Sequence, residues 1–376
     1  MDGQGDFQRA LLSRCADPVK PALNTDPASL TARILSAHAH GTPLRIRGGG
    51  SKDFYGGALQ GELLDVSGYC GIVDYEPSEL VLTARAGTPL VEIESTLAKH
   101  GQMLAFEPPH FADAATFGGC IAAGLSGPRR ASAGSARDFV LGVRMLDGQG
   151  NDLRFGGQVM KNVAGFDVSR LLTGSLGTLG VLLEISLKVL PLPVAEATLR
   201  FERTAADAIA LLNEWGGKPL PLSASAWHGG QLNVRLSGAR AAVDAAIAQL
   251  GGERLDDNAA AKFWQGIREQ RDAFFTSAAP LWRLSVKSST PPLNLPGSQL
   301  IEWGGSLRWI VTDADPATVR EAARYGGGHA TLFRGGDKSA GVFHPLPAAM
   351  LTLHHNLKRR FDPAGIFNRG RVYPDF

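Results

Sequence analysis

Arg47-Gly48-Gly49-Gly50-Ser51-Lys52 is the most informative segment of this sequence. It follows the alternating run Leu44-Arg45-Ile46-Arg47, which predicts a short strand. Successive glycines let a backbone approach a ligand closely, and they let consecutive N–H groups point into one concavity that suits anionic oxygens. The hydroxyl of Ser51 adds a further hydrogen-bond donor for such oxygens, and Arg47 and Lys52 add positive charge. The segment therefore predicts a pyrophosphate-binding loop, with a flexible turn as the alternative.

Two further loops are built almost entirely from small residues. The second runs Ala115-Thr116-Phe117-Gly118-Gly119-Cys120-Ile121-Ala122-Ala123-Gly124-Leu125-Ser126-Gly127-Pro128, and the third runs Leu172-Thr173-Gly174-Ser175-Leu176-Gly177-Thr178-Leu179-Gly180. Small side chains leave room for a flat or bulky ligand, or for a tightly packed helix. Three such loops before residue 190 favour the ligand. Neither of the common nucleotide motifs fits, because Asp53 stands where the dinucleotide fingerprint needs its third glycine.

In their order and spacing, these motifs resemble the FAD-binding domain of the vanillyl-alcohol oxidase/p-cresol methylhydroxylase (PCMH) flavoprotein superfamily. The tail Phe361-Asp362-Pro363-Ala364-Gly365-Ile366-Phe367-Asn368-Arg369-Gly370-Arg371 is similar to that family's C-terminal segment, with Arg369 in place of the usual proline. The resemblance implies an α+β fold: a two-subdomain PCMH-type FAD-binding domain with a smaller antiparallel-sheet, ferredoxin-like cap domain.

Three other segments resemble a narrower family, the small FAD-binding subunits (GlcE) of bacterial glycolate oxidases. They are Lys161-Asn162-Val163-Ala164-Gly165-Phe166-Asp167, Ile301-Glu302-Trp303-Gly304-Gly305 and Gly328-His329-Ala330-Thr331-Leu332. This resemblance implies a complex with a larger catalytic flavin subunit and an iron–sulfur subunit, and a small 2-hydroxy acid as substrate.

The superfamily resemblance also implies which residues hold FAD. The first loop would wrap the pyrophosphate, Gly118 and Gly119 would approach the diphosphate and ribityl chain, and Ala122 to Gly127 would lie near the isoalloxazine. Asn368 would reach back to the ring system. No histidine lies between residues 41 and 99 to tether the flavin, so we expect non-covalent FAD. The cofactor-binding residues predicted are Arg47, Gly48, Gly49, Gly50, Ser51, Lys52, Thr116, Gly118, Gly119, Ala122, Gly124, Gly127, Gly180, Val181 and Asn368.

The chain is predicted to divide near Pro191 and Pro193, because proline removes a strand donor and restricts the residue before it. Residues 1–193 would form the FAD-binding domain, and residues 194–340 the cap on the substrate side. In the cap, strands alternate with Ala-rich helices, a rhythm typical of an antiparallel sheet with helices on one side, and one of these helices is predicted over 259–275. Residues 341–376 would return to the FAD-binding domain.

Composition narrows the classes of partner. The 376 residues carry 38 Lys and Arg against 36 Asp and Glu, a net charge of +2, which gives no strong field for nucleic acid or lipid head groups. The sequence contains no run of about 18 apolar residues, the length that a membrane-spanning helix needs. The segment Met1–Asp6 lacks the basic and apolar regions of a secretory signal. We expect a cytoplasmic protein that meets the inner membrane only through partner subunits.

Metal chemistry is not expected. Cys15, Cys70 and Cys120 lie 55 and 50 residues apart, a spacing that fits no zinc, iron–sulfur or disulfide framework. Many related dehydrogenases hold a divalent metal around a His-x-Gly-Asp-Gly-Asn stretch, and nothing here matches it.

Two residues are predicted to carry substrate chemistry. Arg283 shares a strand face with Lys287 and could clamp a carboxylate over the flavin, although a solvated strand face is the alternative. His329 follows Gly326-Gly327-Gly328 and is a candidate for the base that takes the hydroxyl proton.

Two principal functions follow from the resemblance. In the first, the chain is the FAD-binding subunit of a glycolate oxidase complex and passes electrons onward. In the second, it is a stand-alone FAD-dependent dehydrogenase that oxidises glycolate or a D-lactate-like acid itself. A third hypothesis is a cytokinin- or sugar-type oxidase of the same superfamily, but the short cap and the absence of a histidine tether count against it.

Overall fold

The computed structural model describes residues 25–157 and 167–376 of the chain. Helix α1 (Pro27–His40) begins where the Asp26 side chain accepts a hydrogen bond from the N–H of Ser29, and it ends at Gly41 in a left-handed conformation. Strand β1 (Leu44–Arg47) follows and pairs in parallel with β2 (Glu62–Asp65). The first glycine loop therefore leaves the carboxyl end of a strand, as the sequence predicts.

An antiparallel sheet of five strands forms the centre of the first half of the chain, in the order β3-β4-β8-β6-β7. Both faces of its central strand are covered by apolar side chains, because α1 and the C-terminal tail pack on one face and α2 and α3 on the other. The strands are β3 (Ile72–Glu76), β4 (Val81–Arg85), β6 (Val140–Leu146), β7 (Asp152–Gly156) and β8 (Val181–Lys188).

Short helices carry the small-residue loops on this sheet. Thr116 caps α3 by accepting a hydrogen bond from the N–H of Gly119. A two-stranded sheet of β5 and β9 closes the region near Pro191. The elements are α2 (Leu90–Ala98), β5 (Gln102–Met103), α3 (Phe117–Ala123), α4 (Arg130–Ala133), α5 (Ala136–Phe139), α6 (Val168–Leu171) and β9 (Leu190–Pro191).

A second antiparallel sheet of eight strands, called here the cap sheet, occupies residues 195–334. Its order is β13-β10-β12-β11-β15-β16-β14-β17, and every pairing is antiparallel. The strands are β10 (Ala195–Glu202), β11 (Leu222–His228), β12 (Gln231–Gly238), β13 (Glu253–Arg254), β14 (Leu281–Ser285), β15 (Ser298–Glu302), β16 (Leu307–Val311) and β17 (His329–Arg334).

The two faces of the cap sheet have different neighbours. Helices α7 (Ala205–Gly216), α8 (Arg240–Leu250) and α10 (Pro316–Tyr325) cover one face with aliphatic side chains and Trp215. The other face packs against α9 (Asp257–Arg268) and against Tyr55, Leu125 and Leu176 of the glycine loops. The functional side chains of the cap therefore belong to this second face, which meets the loops.

The C-terminal segment returns to the first half of the chain. Helix α11 (Ala348–Phe361) places the ammonium of Lys358 in the interior, where it donates to the carbonyl oxygens of Thr178 and Phe367 and pairs with Asp362 at 2.7 Å. The tail then runs along β1, and the N–H of Asn368 donates to the Leu44 carbonyl. One buried ion pair thus ties the third loop to the tail.

The α+β fold class and the antiparallel cap sheet are confirmed, with one difference in detail. The helix predicted over 259–275 ends at Arg268, because Gln270 adopts a left-handed conformation and Asp272 caps a separate 3-10 turn. The glycines before His329 lead into β17, where Gly328 packs on the Ser285 carbonyl. Of the motif at 161–167, residues 161–166 lie outside the described residues. The domain boundary near Pro193 stays a prediction.

Candidate flavin and acid site

The first two glycine loops pack directly on one another. A Cβ atom at Gly48 would lie 2.2 Å from the Thr116 hydroxyl oxygen, and one at Gly49 would lie 1.4 Å from the Ala114 carbonyl oxygen. Any side chain at Gly49 would therefore push the second loop away. These two glycines allow the loops to touch, so close packing within the protein already requires their small size.

The backbone of the first loop offers a row of free donors. Among hydrogen bonds between described residues, none has the N–H of Gly49, Gly50, Ser51 or Lys52 as its donor. Gly50 has a φ of +73°, a left-handed value that turns successive N–H groups toward one side. Half-buried backbone donors without acceptors are costly unless a ligand or water meets them. Anionic oxygens would satisfy these donors.

Lys52 and Arg47 differ in their use of charge. Arg47 folds back over its own loop and pairs with Asp53 at 2.9 Å. The ammonium of Lys52 has no carboxylate within 4 Å among the described residues; it donates to the His110 carbonyl at 3.3 Å and lies over the Phe111 ring. Burial lowers the pKa of Lys52, whereas the negative field of the Glu269 carboxylate opposes this shift. Lys52 is thus a desolvated cation beside the row of donors.

The second loop uses its two central glycines differently. Gly118 packs against Ala86 and donates its N–H to the Ala86 carbonyl, so it joins the loop to β4. A Cβ at Gly119 would meet only the hydroxyl of Thr116, at 3.1 Å. Gly119 is therefore the position of α3 where added bulk would project into space that the protein leaves open.

The remaining predicted loop residues form the frame of the site. Gly124, in a left-handed conformation, packs on Gly174 of the third loop, and the Ala122 carbonyl accepts from Leu176. Gly180 and Val181 lie against β6, with Val181 fully buried. These contacts join the second and third loops into one surface.

Asn368 joins the tail to two other elements. Its side-chain oxygen accepts from the N–H of Ile46 at 2.8 Å, and its amide donates to the Leu176 carbonyl at 2.6 Å. Both ends of the side chain are therefore bonded to protein. The structure places Asn368 as a brace between β1 and the third loop, close to the predicted flavin site.

The donor set of the first loop fits the diphosphate of FAD. Four N–H groups without acceptors, a serine hydroxyl and an unpaired ammonium match the chemistry of phosphate oxygens. Cys120, which lies in α3, is 1% exposed and its pKa is raised by burial to about 12, so it stays a thiol at neutral pH. Residues 49–52 are the part of the chain that would hold the phosphates.

A second part of the site is a narrow space between the loops and the cap sheet, called here the cap cleft. Its volume is about 20 Å³, room for about one water molecule, so a bound acid or ring system would have to displace side chains that line it. The lining residues are Pro109, Phe111, Leu125, Ser126, Gly127, Pro128, Ile267, Arg268, Gln270, Arg283, Glu302, Leu307, Trp309 and Phe333. The cleft therefore brings predicted residues Gly127 and Arg283 together.

Arg283 faces this cleft from β14. Its guanidinium lies over the Trp303 ring, 5.2 Å from the ring centre, and makes no hydrogen bond or ion pair with any described residue. Arg130 lies over the same ring at 4.4 Å, and burial together with the field of Arg283 lowers the pKa of Arg130. Neither guanidinium has a carboxylate partner among the described residues, and two such cations on one tryptophan are an arrangement that favours a bound carboxylate.

Glu302 is a site residue that the sequence analysis did not single out as a functional group. It lies on β15, is 4% exposed, and accepts a hydrogen bond from the Trp309 indole at 2.7 Å. Burial raises its pKa to about 7, and the field of Glu107 acts in the same direction; Trp309 and Arg283 oppose the shift. A glutamate at the end of an apolar strand is the available sequence signal, but only the fold places it beside Arg283.

His329 lies outside the lining of the cleft. It begins β17 opposite Ser285, on the face of the sheet that carries Arg283, and its side chain is exposed. Burial of part of the ring and the fields of Arg283 and His344 lower the pKa of His329. Its role as a base stays a prediction.

A network of charged side chains joins the cap sheet to the loops. Glu107 pairs with Arg235 of β12 at 2.8 Å, and Arg129 pairs with Glu196 of β10 at 2.5 Å. Burial opposes ionisation of Glu107, but Arg235 and Arg129 hold its pKa below the usual range. The Trp303 indole also donates to the Gly127 carbonyl. The cap sheet is therefore fixed against the loops next to the cleft.

Two features are absent from the part of the chain that the structure describes. No group of three His, Cys, Asp or Glu side chains in residues 25–157 and 167–376 is placed to hold a metal ion. In the same part of the chain, no helix has the length and apolar character that a membrane crossing requires.

Sequence comparisons point to flavoproteins. The family described as "FAD binding domain" matches residues 22–156. A relative from Escherichia coli (strain K12), glycolate oxidase subunit GlcE, is 49% identical over 347 residues, which cover 92% of this chain and 97% of the relative. Glycolate oxidase subunit GlcD of Bacillus subtilis (strain 168) is 32% identical over 187 residues, 49% of this chain and 39% of the relative.

A comparison of folds agrees. A crystal structure of p-cresol methylhydroxylase with substrate bound superposes with a TM-score of 0.69, covering 98% of this chain and 93% of that one. Only 14% of the aligned residues are identical, so this likeness concerns the fold alone.

Proposed function

The chain belongs to the GlcE family of FAD-binding oxidoreductases, and from this premise we propose that it is the FAD-binding subunit of a complex that oxidises glycolate. The observation that carries the proposal is 49% identity over 97% of a glycolate oxidase subunit. The free donors of residues 49–52 support it, because they give the diphosphate of FAD a cradle in this chain.

The chain's own residues would divide the work between holding FAD and shaping the substrate side. Bound FAD supplies the acceptor for two electrons and a hydrogen from the alcohol carbon. The N–H groups of residues 49–52 and the ammonium of Lys52 would bind its diphosphate. Asn368 and the Lys358–Asp362 pair would keep the third loop in place. The apolar side chains of the cap cleft would exclude water.

The partners and the onward path of electrons are part of the proposal. A name of the form "subunit" implies that the E. coli relative works in an assembly. We expect a larger catalytic flavin subunit and an iron–sulfur subunit as partners, with electrons passing from the flavin to them. The assembly would lie in the cytoplasm and meet the inner membrane through those partners.

A second candidate function is oxidation of the acid by this chain alone. Arg283 favours it, because an unpaired guanidinium in the cap cleft can hold a carboxylate with two hydrogen bonds. The substrate would be glycolate or a D-lactate-like 2-hydroxy acid. The sequence predicts His329 as the base, and the structure places this residue on the same sheet face as Arg283 but outside the lining of the cleft.

Absorbance spectroscopy tests both candidates. The purified chain is reconstituted with FAD, and glycolate and D-lactate are then added without oxygen. We expect a flavin spectrum that bleaches when partner subunits are present. Bleaching in the isolated chain would support the second candidate. A chain that retains no FAD after reconstitution would contradict the proposal.

A pair of glycine variants tests whether the second glycine loop contacts the bound FAD. Gly119→Leu should abolish the flavin spectrum, because its side chain would project into the open space beside the first loop. Gly216→Leu is the matched control, since no described atom lies within 4 Å of a Cβ at that position in α7. Full FAD retention in Gly119→Leu would remove the second loop from the proposed site.

A further inference from the structure

We propose that Glu302 is the catalytic base of this chain, the group that takes the hydroxyl proton of an acid held by Arg283. This inference rests on the second candidate of the proposed function, oxidation within this chain. Glu302 and Arg283 line the same cleft and lie on the same face of the cap sheet, on strands β15 and β14, which β16 separates. Their placement gives a 2-hydroxy acid one cation for its carboxylate and one carboxylate for its hydroxyl.

The hydrogen bonding of Glu302 leaves one oxygen available. Oε2 accepts from the Trp309 indole, and this bond fixes the orientation of the side chain. Oε1 accepts no hydrogen bond from a described residue, and no cation lies within 4 Å of the carboxylate in that part of the chain. A buried carboxylate with one fixed and one free oxygen can receive a proton without reorienting.

The chemical step balances with FAD as the oxidant. The O–H bond of the acid breaks and its proton passes to Glu302 Oε1, while the C–H bond breaks and its electron pair leaves with the hydrogen to the flavin. The carbon–oxygen bond becomes a carbonyl, so the product is the 2-oxo acid. Glu302 then returns the proton to solvent.

The surroundings of Glu302 favour it over the other groups that could accept a proton. Tyr55 and His329 also feel the field of Arg283, but neither lines the cleft, and burial raises the pKa of Tyr55. Charged groups from other elements also surround the carboxylate. They are Arg283 of β14, Glu107 of the loop after β5, Arg268 at the end of α9, and Arg130 of α4 beside Arg283. With a pKa near 7, Glu302 exchanges a proton in the neutral range.

Oxalate, an acid that cannot be oxidised in this way, tests the site without turnover. Its negative charge should raise the proton affinity of Glu302, so the FAD-loaded chain should bind oxalate up to tenfold more weakly for each pH unit above 7. In Glu302→Gln, which keeps an acceptor for Trp309, the affinity should not change with pH. Calorimetric titration between pH 6 and pH 9 measures both.

Two further variants keep the test decisive. Glu302→Asp retains a carboxylate and should restore a pH-dependent affinity, whereas Glu321→Gln, an exposed position on α10, should behave like wild type. Loss of the pH dependence in Glu321→Gln, or its persistence in Glu302→Gln, would overturn the proposal. Absence of oxalate binding in the wild type would overturn it too.

The rate at which glycolate reduces the flavin is a second, kinetic test of Glu302. In the isolated, FAD-loaded chain, Glu302→Gln should reduce its flavin with glycolate about 10²–10⁴-fold more slowly than wild type, while its FAD content stays that of wild type. An unchanged rate would overturn the role of Glu302. Loss of FAD from the wild type would instead defeat the proposed function, so the two failures are distinguishable.

Discussion

The first glycine loop offers a ligand its backbone, whereas the cap cleft offers side chains. At residues 49–52 the donors are N–H groups of consecutive residues, and glycine is required because the loops touch. In the cleft, Arg283 and Glu302 come from different strands and meet only through the register of the cap sheet. A site made of backbone groups is encoded by one short segment of sequence. A site made of side chains from separate strands depends on the pairing of the whole sheet.

This difference separates the expected effects of mutation. Substitutions in the loop should change folding and FAD retention together, because the same glycines pack the loops and expose the donors. Substitutions in the cleft should leave FAD retention unchanged and alter the response to acids and to pH.

The largest effect is expected at Gly49. In Gly49→Ala, the new Cβ would lie 1.4 Å from the Ala114 carbonyl oxygen, so the two loops must separate. We expect a loss of about 3 kcal/mol in the free energy of unfolding together with loss of FAD. Urea denaturation measures the first and absorbance the second. Gly216→Ala is the control and should cost nothing; equal stabilities for the two variants would show that the loops do not touch.

The cleft should respond to pH through Glu302. The pKa of Glu302 in the folded protein is about 7, above the ordinary value of 4.5. Between these pH values the folded state binds a proton that the unfolded state does not, so the free energy of unfolding falls as pH rises from 4.5 to about 7. The loss is up to about 3 kcal/mol. Glu302→Gln should remove this slope. Urea denaturation from pH 4.5 to 8 compares the two proteins, and parallel curves would contradict the buried, protonated Glu302.

Lys52 tests the loop without altering its packing. Lys52→Met removes the unpaired ammonium but keeps a long apolar side chain, so folding should be retained. A charge-assisted bond to phosphate contributes about 1.5–3 kcal/mol, which predicts FAD binding about 10–100-fold weaker. Quenching of flavin fluorescence measures the affinity, and Lys287→Met, at an exposed position after β14, is the control. Equal affinities for both variants would place the phosphates elsewhere.

The smallest effect concerns the hydrogen bond between Trp303 of the cap and Gly127 of the second glycine loop. Trp303→Phe removes the hydrogen bond from the indole to the Gly127 carbonyl, and Trp227→Phe removes a similar bond to the Arg203 carbonyl within the cap. Each should cost about 1 kcal/mol of stability. Only Trp303→Phe should shift the visible flavin spectrum, because only Gly127 lies at the cleft. Identical spectra would show that the cap does not influence the flavin.

The sequence predicted most of what depends on local pattern. The strand that ends at Arg47 and the antiparallel cap sheet follow from periodicity and the alternation of elements, and the structure confirms both. The helix over 259–275 was wrong beyond Arg268, since nothing in its periodicity marks the left-handed turn at Gln270.

The site divides in the same way. Arg283 was found as a cation on a strand face, but Glu302 was not, because its buried environment arises from Trp309, Glu107 and Arg283, which lie far apart in the sequence. The glycines also have more than one role: Gly118 fastens the second loop to Ala86, a packing function that a glycine pattern alone does not separate from ligand contact.

A structure of the FAD-reconstituted chain tests the central claim most directly. The measured quantity is the distance from the diphosphate oxygens to the backbone nitrogens of Gly49, Gly50, Ser51 and Lys52. We predict several distances of about 2.7–3.2 Å, with the Lys52 ammonium beside the phosphates. A diphosphate bound elsewhere, with these four N–H groups still lacking acceptors, would contradict the account.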